Sequence, residues 1–163
     1  MCSLEPGICS PSSGPASSPK RSPAVYRWVD HTAELELAIE AGSEREVFAD
    51  ALAALGELWG ASAGSGGGSP ASAGSGARRK VAADAPDRGA LLAGWMDELI
   101  FLAESEGFVG TELERLQLSA DSVQATVTGR LGEPAPIVKA ITYHGLVFER
   151  SPGGYLARVV LDV

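Results

Sequence analysis

Between residues 34 and 40 the chain alternates: Leu35, Leu37 and Ile39 are apolar, while Glu34, Glu36 and Glu40 take the intervening side. A period of two puts the three aliphatic residues on one face and predicts a half-buried strand. A second strand-like run, Val25 to Val29, precedes it. From residue 43 the period changes. Ser43 followed three residues later by Glu46 is a capping box, and Val47, Phe48, Ala51, Leu52, Leu55, Leu58 and Trp59 recur at helical spacing. This helix is expected to end near Gly60. After a short strand at Lys80 to Ala83, Asp87 is placed to cap a second helix. Its stripe is Leu91, Leu92, Trp95, Met96, Leu99, Ile100 and Leu102, and Gly107 stops it. The remainder reads as strands at Glu114 to Ala120, Ser122 to Gly129, Ile137 to Tyr143, Leu146 to Arg150 and Tyr155 to Val163, with Ser151-Pro152-Gly153-Gly154 as a hairpin turn. Two amphipathic helices and mostly hairpin-linked strands predict a single α+β domain, with the helices packed on a largely antiparallel sheet.

Two segments fall outside this pattern. Residues 1–24 are rich in Ser, Pro and Gly, bury too little apolar surface to offset chain entropy, and are expected to be disordered. Residues 61–78, "ASAGSGGGSPASAGSGAR", read as a flexible insertion within the domain spanning 25–163. The net charge of −8 and the scatter of the thirteen basic residues argue against a chain that grips nucleic acid by itself, since phosphate binding needs clustered Lys and Arg. An acidic balance suits divalent cations or a basic protein partner instead. The two cysteines, Cys2 and Cys9, both lie in the tail and form neither a disulfide framework nor a zinc pair. No apolar run is long enough for a membrane helix, and the first residues lack the apolar core of a secretory signal. A cytoplasmic protein is expected.

The common catalytic signatures are missing: there is no dinucleotide fingerprint, Walker loop, HExxH or CxxC. Polar chemistry collects at strand ends instead. Asp30, His31, Thr32 and Glu34 form one group, and Lys139, Thr142, Tyr143 and His144 form another. Asp162-Val163 closes a run of apolar residues. Asp162 admits two readings. Strands fray into water, so a polar last residue can be merely solvated. Alternatively, Asp162, the carboxylate of Val163 and the Glu34 side chain make three anionic groups, a hard-oxygen set suited to Ca²⁺ or Mg²⁺ rather than zinc. Asp30 and Glu34 would lie about 13 Å apart on a fully extended chain, so only a bend at His31-Thr32 brings both to one ion.

These same blocks carry a family resemblance. "WVDHTAELELAIEAGSEREVFADALAAL", "LLAGWMDELIFLAESEG", "VKAITYHGLVFER" and the final "LDV" resemble, in order, the opening motif, Leu-rich helix, Val-Lys-Ala-Ile-Thr-Tyr-His stretch and ending of the archease family, from about Tyr26 to Val163. The resemblance implies a small accessory protein of a GTP-dependent RNA ligase acting in tRNA splicing and RNA repair. It would promote ligase guanylylation and multiple turnover without being an enzyme itself, and would meet RNA only through the ligase. It also implies a divalent cation, calcium in family structures with Mg²⁺ or Mn²⁺ as alternatives, held by Glu34, Asp162 and Val163. The family motif carries Asp where this chain has Glu34, which moves the carboxylate by about 1.5 Å; Ca²⁺ tolerates such variation better than Mg²⁺. Two other readings stand beside this one: a chaperone-like binding module, and a metal-assisted hydrolase using Glu34 and Asp162 with His31 or His144 as base.

Overall fold

The computed structural model describes residues 25–31, 33–62, 76–132, 134 and 138–163; the expected tail at 1–24 lies outside them. The described elements run β1 (Val25–His31), β2 (Glu34–Ala41), α1 (Glu44–Ser62), β3 (Ala77–Asp84), α2 (Arg88–Glu106), β4 (Phe108–Leu118), β5 (Ser122–Leu131), β6 (Ala140–Ser151) and β7 (Gly154–Asp162). They form two antiparallel sheets, a four-stranded one ordered β1-β2-β7-β6 and a three-stranded one ordered β3-β5-β4. The architecture is the expected α+β domain with two helices.

Burial explains the layering. In the four-stranded sheet, Leu37, Ile39, Ala157, Val159 and Leu161 are shut away from solvent on one face. The facing helices bring Val47, Phe48, Ala51, Leu52, Leu55 and Trp59 from α1, and Leu91, Leu92, Trp95, Met96, Leu99 and Ile100 from α2. Each helix packs against strands of both sheets: α1 against β2 and β4, α2 against β6, β3 and β4. A helix covered on two sides needs a broad apolar surface rather than a narrow stripe, which is why Ala93 and Ala103 of α2 are buried as well. Phe48 meets Trp95 edge to face at 5.3 Å between centroids, joining the two helices in the core.

The helix termini follow the sequence chemistry closely. Ser43 Oγ accepts the Glu46 N–H at 3.3 Å, while the Glu46 carboxylate reaches back to the Gly42 N–H at 2.8 Å, one residue earlier than a reciprocal capping box places it. Asp87 Oδ1 accepts the Ala90 N–H at 2.8 Å. Gly107 ends α2 at φ 64°, a left-handed conformation that a side chain would strain.

Several expected boundaries move. Gly60 does not end α1, which continues to Ser62; a single glycine inside a helix costs only about 1 kcal/mol relative to alanine. The expected insertion at 61–78 therefore contracts at both ends. Ala61 and Ser62 are helical, and Ala77 and Arg78 belong to β3, which pairs with β5 along its whole length; residues 63–75 lie outside the described residues. The fourth strand begins at Phe108, directly after the Gly107 cap, rather than at Glu114. Ile137 lies outside the described residues. The two strands expected at Ile137 to Tyr143 and Leu146 to Arg150 are one strand, β6, carrying a break in register: Thr142 pairs with Val160 and Val147 with Arg158, so Tyr143–Leu146 stand against Val159 alone. Gly145 sits inside this bulge at φ 78°.

Candidate functional site

The first polar group falls where β1 gives way to β2. β1 and β2 form an antiparallel hairpin in which His31 stands opposite Glu34 and Asp30 opposite Leu35. β2 in turn pairs with β7, and there Glu34 stands opposite Asp162. On the far side Ala140 of β6 is also the partner of Asp162. One row thus crosses the end of the four-stranded sheet through His31, Glu34, Asp162 and Ala140. Two of the three residues singled out in the sequence, 128 positions apart by their numbers (162 − 34), are immediate cross-strand neighbours.

Alternation fixes the face they occupy. Leu35 and Leu161 share the side of the buried Leu37 and Val159, toward the helices, so Glu34 and Asp162 occupy the opposite, outer side, and both are exposed. Directly opposed residues on antiparallel strands have Cα atoms about 4.5–5.5 Å apart, so two carboxylates here can reach one ion. Their neighbours show how the surface is otherwise neutralised: Glu36, next along the same face, is paired with Arg158 at 3.0 Å. Among the described residues no side chain forms an ion pair with Glu34 or Asp162. Like charges directly opposite destabilise a sheet by up to about 1 kcal/mol. A divalent cation would reverse that sign, and oxygen-only donors fit a hard cation.

Val163 adjoins the pair at the end of β7. Its N–H donates to the Ala33 carbonyl at 3.4 Å, and its side chain packs on the core, so the end of β7 is tied to the β1–β2 reversal. The Asp162 carbonyl accepts the Lys139 N–H at 2.8 Å. Among the described residues no cluster of three or more His, Cys, Asp or Glu side chains could hold a metal ion. Further ligands beyond the carboxylate pair would then be main-chain oxygen or water.

The second polar group divides, with Lys139 beside Asp162 and the rest further along β6. Thr142 is in register with Val160, two residues from Asp162, whereas Tyr143 and His144 lie in the β6 bulge and are exposed. Sequence reasoning passed over Asp97 of α2. Its Oδ2 accepts the Tyr143 O–H at 3.2 Å and its Oδ1 the Ile141 N–H at 3.3 Å. Burial pushes its carboxyl above the usual range, against the lowering effect of the two hydrogen bonds. The signal available in the sequence was the pair Asp97-Glu98 between Met96 and Leu99, of which Asp97 is half-buried and Glu98 exposed.

The fold and site define a two-helix, two-sheet α+β protein whose end row presents a carboxylate pair. Residues 26–163 match the model of the Archease protein family, and the chain belongs to that family. It is similar to the protein archease of Archaeoglobus fulgidus, 30% identical over 145 residues, covering 85% of this chain and 98% of that protein. The protein archease of Pyrobaculum calidifontis is 30% identical over 152 residues, covering 88% and 98%. Among solved structures, Methanobacterium thermoautotrophicum protein 1598 superposes with a TM-score of 0.60 at 26% identity, over 85% of this chain and 98% of that one. A Thermotoga maritima protein, described as an archease and possible chaperone, shares the fold with a TM-score of 0.53 at 19% identity, covering 83% and 94%.

Proposed function

We propose that this chain is a metal-binding accessory protein that activates a GTP-dependent RNA ligase, promoting its guanylylation and multiple turnover in tRNA splicing and RNA repair. Membership of the archease family supports the class of activity. The observation that carries the site is the direct opposition of Glu34 and Asp162 at the open end of the sheet, without an ion-pair partner among the described residues. Glu34, Asp162 and Val163 would hold the cation, calcium before Mg²⁺ or Mn²⁺, because two carboxylates and a main-chain oxygen on a strand end leave the variable geometry calcium accepts. When bound, the cation supplies positive charge and open coordination positions at which a group of the ligase or water could sit. The protein's own residues set the spacing: β2 and β7 hold the two acids in register, and the Val163 N–H bond holds the end of β7. The proposed setting is the cytoplasm; no helix among the described residues is long and apolar enough to cross a membrane.

The test is guanylylation of the cognate ligase with GTP, with and without this chain. Stimulation at substoichiometric amounts supports the activator. Turnover of RNA or nucleotide by this chain alone would support the hydrolase instead. A client-holding reading draws on three exposed large apolar residues, Phe101, Leu131 and Tyr143, and predicts suppressed aggregation of unrelated unfolded proteins.

A further inference from the structure

The start of β6 is weakly held by its own sheet. β6 is an edge strand, so only β7 pairs with it. Its first paired residues, Ala140, Ile141 and Thr142, are separated from the rest of the strand by the bulge at Tyr143–Leu146. A short edge segment next to a break in the ladder has few main-chain bonds to fix its place. This segment nevertheless runs beside the end of β7: Ala140 is the register partner of Asp162, and the neighbouring Lys139 N–H binds the Asp162 carbonyl.

Asp97 adds a polar hold to the burial of Val138 and Ile141 in the core. It projects from α2, a helix fixed by the core contacts of Trp95, Met96, Leu99 and Ile100. One carboxylate oxygen takes the Ile141 N–H and the other the Tyr143 O–H, so a single side chain grips two residues of β6, one before the bulge and one at its first position. Tyr143 is 55% exposed, so this tether, rather than burial of its ring, accounts for its place at the helix. A half-buried carboxylate costs desolvation free energy, and two hydrogen bonds to one strand offset it.

We propose that Asp97 is a positioning residue for the carboxylate pair, gripping the start of β6 through Ile141 and Tyr143 so that β6 in turn fixes the end of β7 and the place of Asp162. This rests on the reading of Glu34 and Asp162 as a cation site. The grip acts at a distance from the ion, so its loss weakens binding without removing a ligand.

The experiment is calcium titration by calorimetry on the full chain, well below its unfolding temperature. It compares wild type with Asp97→Ala, Asp97→Asn, Tyr143→Phe, Asp162→Asn and Val123→Ala, a destabilising truncation in the other sheet. Asp97→Ala is expected to lower calcium affinity about tenfold. Asp97→Asn should fall less, because the amide oxygen still accepts the Ile141 N–H, and Tyr143→Phe should lose only the second bond's share. Val123→Ala should melt earlier yet bind calcium as wild type does. If Asp97→Ala fails to fold, the order wild type, then Tyr143→Phe and Asp97→Asn, carries the test. Wild-type affinity in the Asp97 and Tyr143 variants, with binding lost in Asp162→Asn, overturns the positioning role alone. Equal loss in Val123→Ala and Asp97→Ala overturns it too, by making the effect one of general stability. Absence of calcium binding by wild type, or full binding by Asp162→Asn, overturns the cation site and the positioning role with it.

Discussion

Glu34 is one methylene longer than an aspartate, and the consequence can be measured. Glu34→Asp should retain cation binding, since calcium accepts a shift of about 1.5 Å in one ligand. Glu34→Gln keeps size while removing charge, and should lower both calcium affinity and ligase stimulation, with the melting temperature unchanged or slightly raised by relief of repulsion across the strands. Tyr26 gives a separate prediction. Burial, then the hydrogen bond to Glu57 and the nearby negative charges of Glu57 and Asp50, raise its pKa to about 12 from 10.0. The folded state thus favours the neutral phenol more than the unfolded chain does. Its contribution is fully present below pH 10 and is lost as pH rises toward about 12. Melting curves across that window should fall more steeply for wild type than for Tyr26→Phe, and parallel curves would contradict this. At this scale the sequence named Glu34 and Asp162 but not why they meet. Residue type and position at a strand end were readable, whereas cross-strand register is a long-range property. Asp97 was hidden for a different reason, because a stripe is read by its apolar members and the polar exception within it is easily passed over.

The helices were the most legible elements, since their caps and stripes are local. Ser43, Asp87 and Gly107 each stand where capping chemistry requires. Leu99, 1% exposed, lies in the core, and Leu99→Ala should cost about 2–5 kcal/mol in urea unfolding. Calcium affinity of the folded fraction should be unchanged. Intact stability with lost ligase activation would instead mark this face of α2 as an interface. The strands were readable in number only in part. The bulge in β6 looked like a loop between two strands because Tyr143-His144-Gly145 carries turn-like residues. In fact pairing to β7 resumes at Val147 after four residues stand against one.

Among the described residues the molecule is a pair of antiparallel sheets with two helices in contact with both, the α+β arrangement the sequence predicted, though the sequence did not show how the strands divide. Periodicity shows that a face is buried but not what buries it, and the division of seven strands between two sheets depends on pairings far apart in sequence. Replacing residues 63–75 with a short Gly/Ser link should leave the melting temperature and ligase stimulation close to wild type, because loop-closure entropy changes slowly with length. A large loss of either would give that segment a role in fold or function.

If the carboxylate row is the working part of an activator, the rate of ligase guanylylation with wild type against Asp162→Asn shows it most directly. Asp162 is exposed at the end of β7, so the substitution should leave the fold and its melting temperature intact. Strong stimulation by wild type, with little or none by folded Asp162→Asn, is the predicted result. Equal stimulation by both would contradict it and return Asp162 to a solvated strand end.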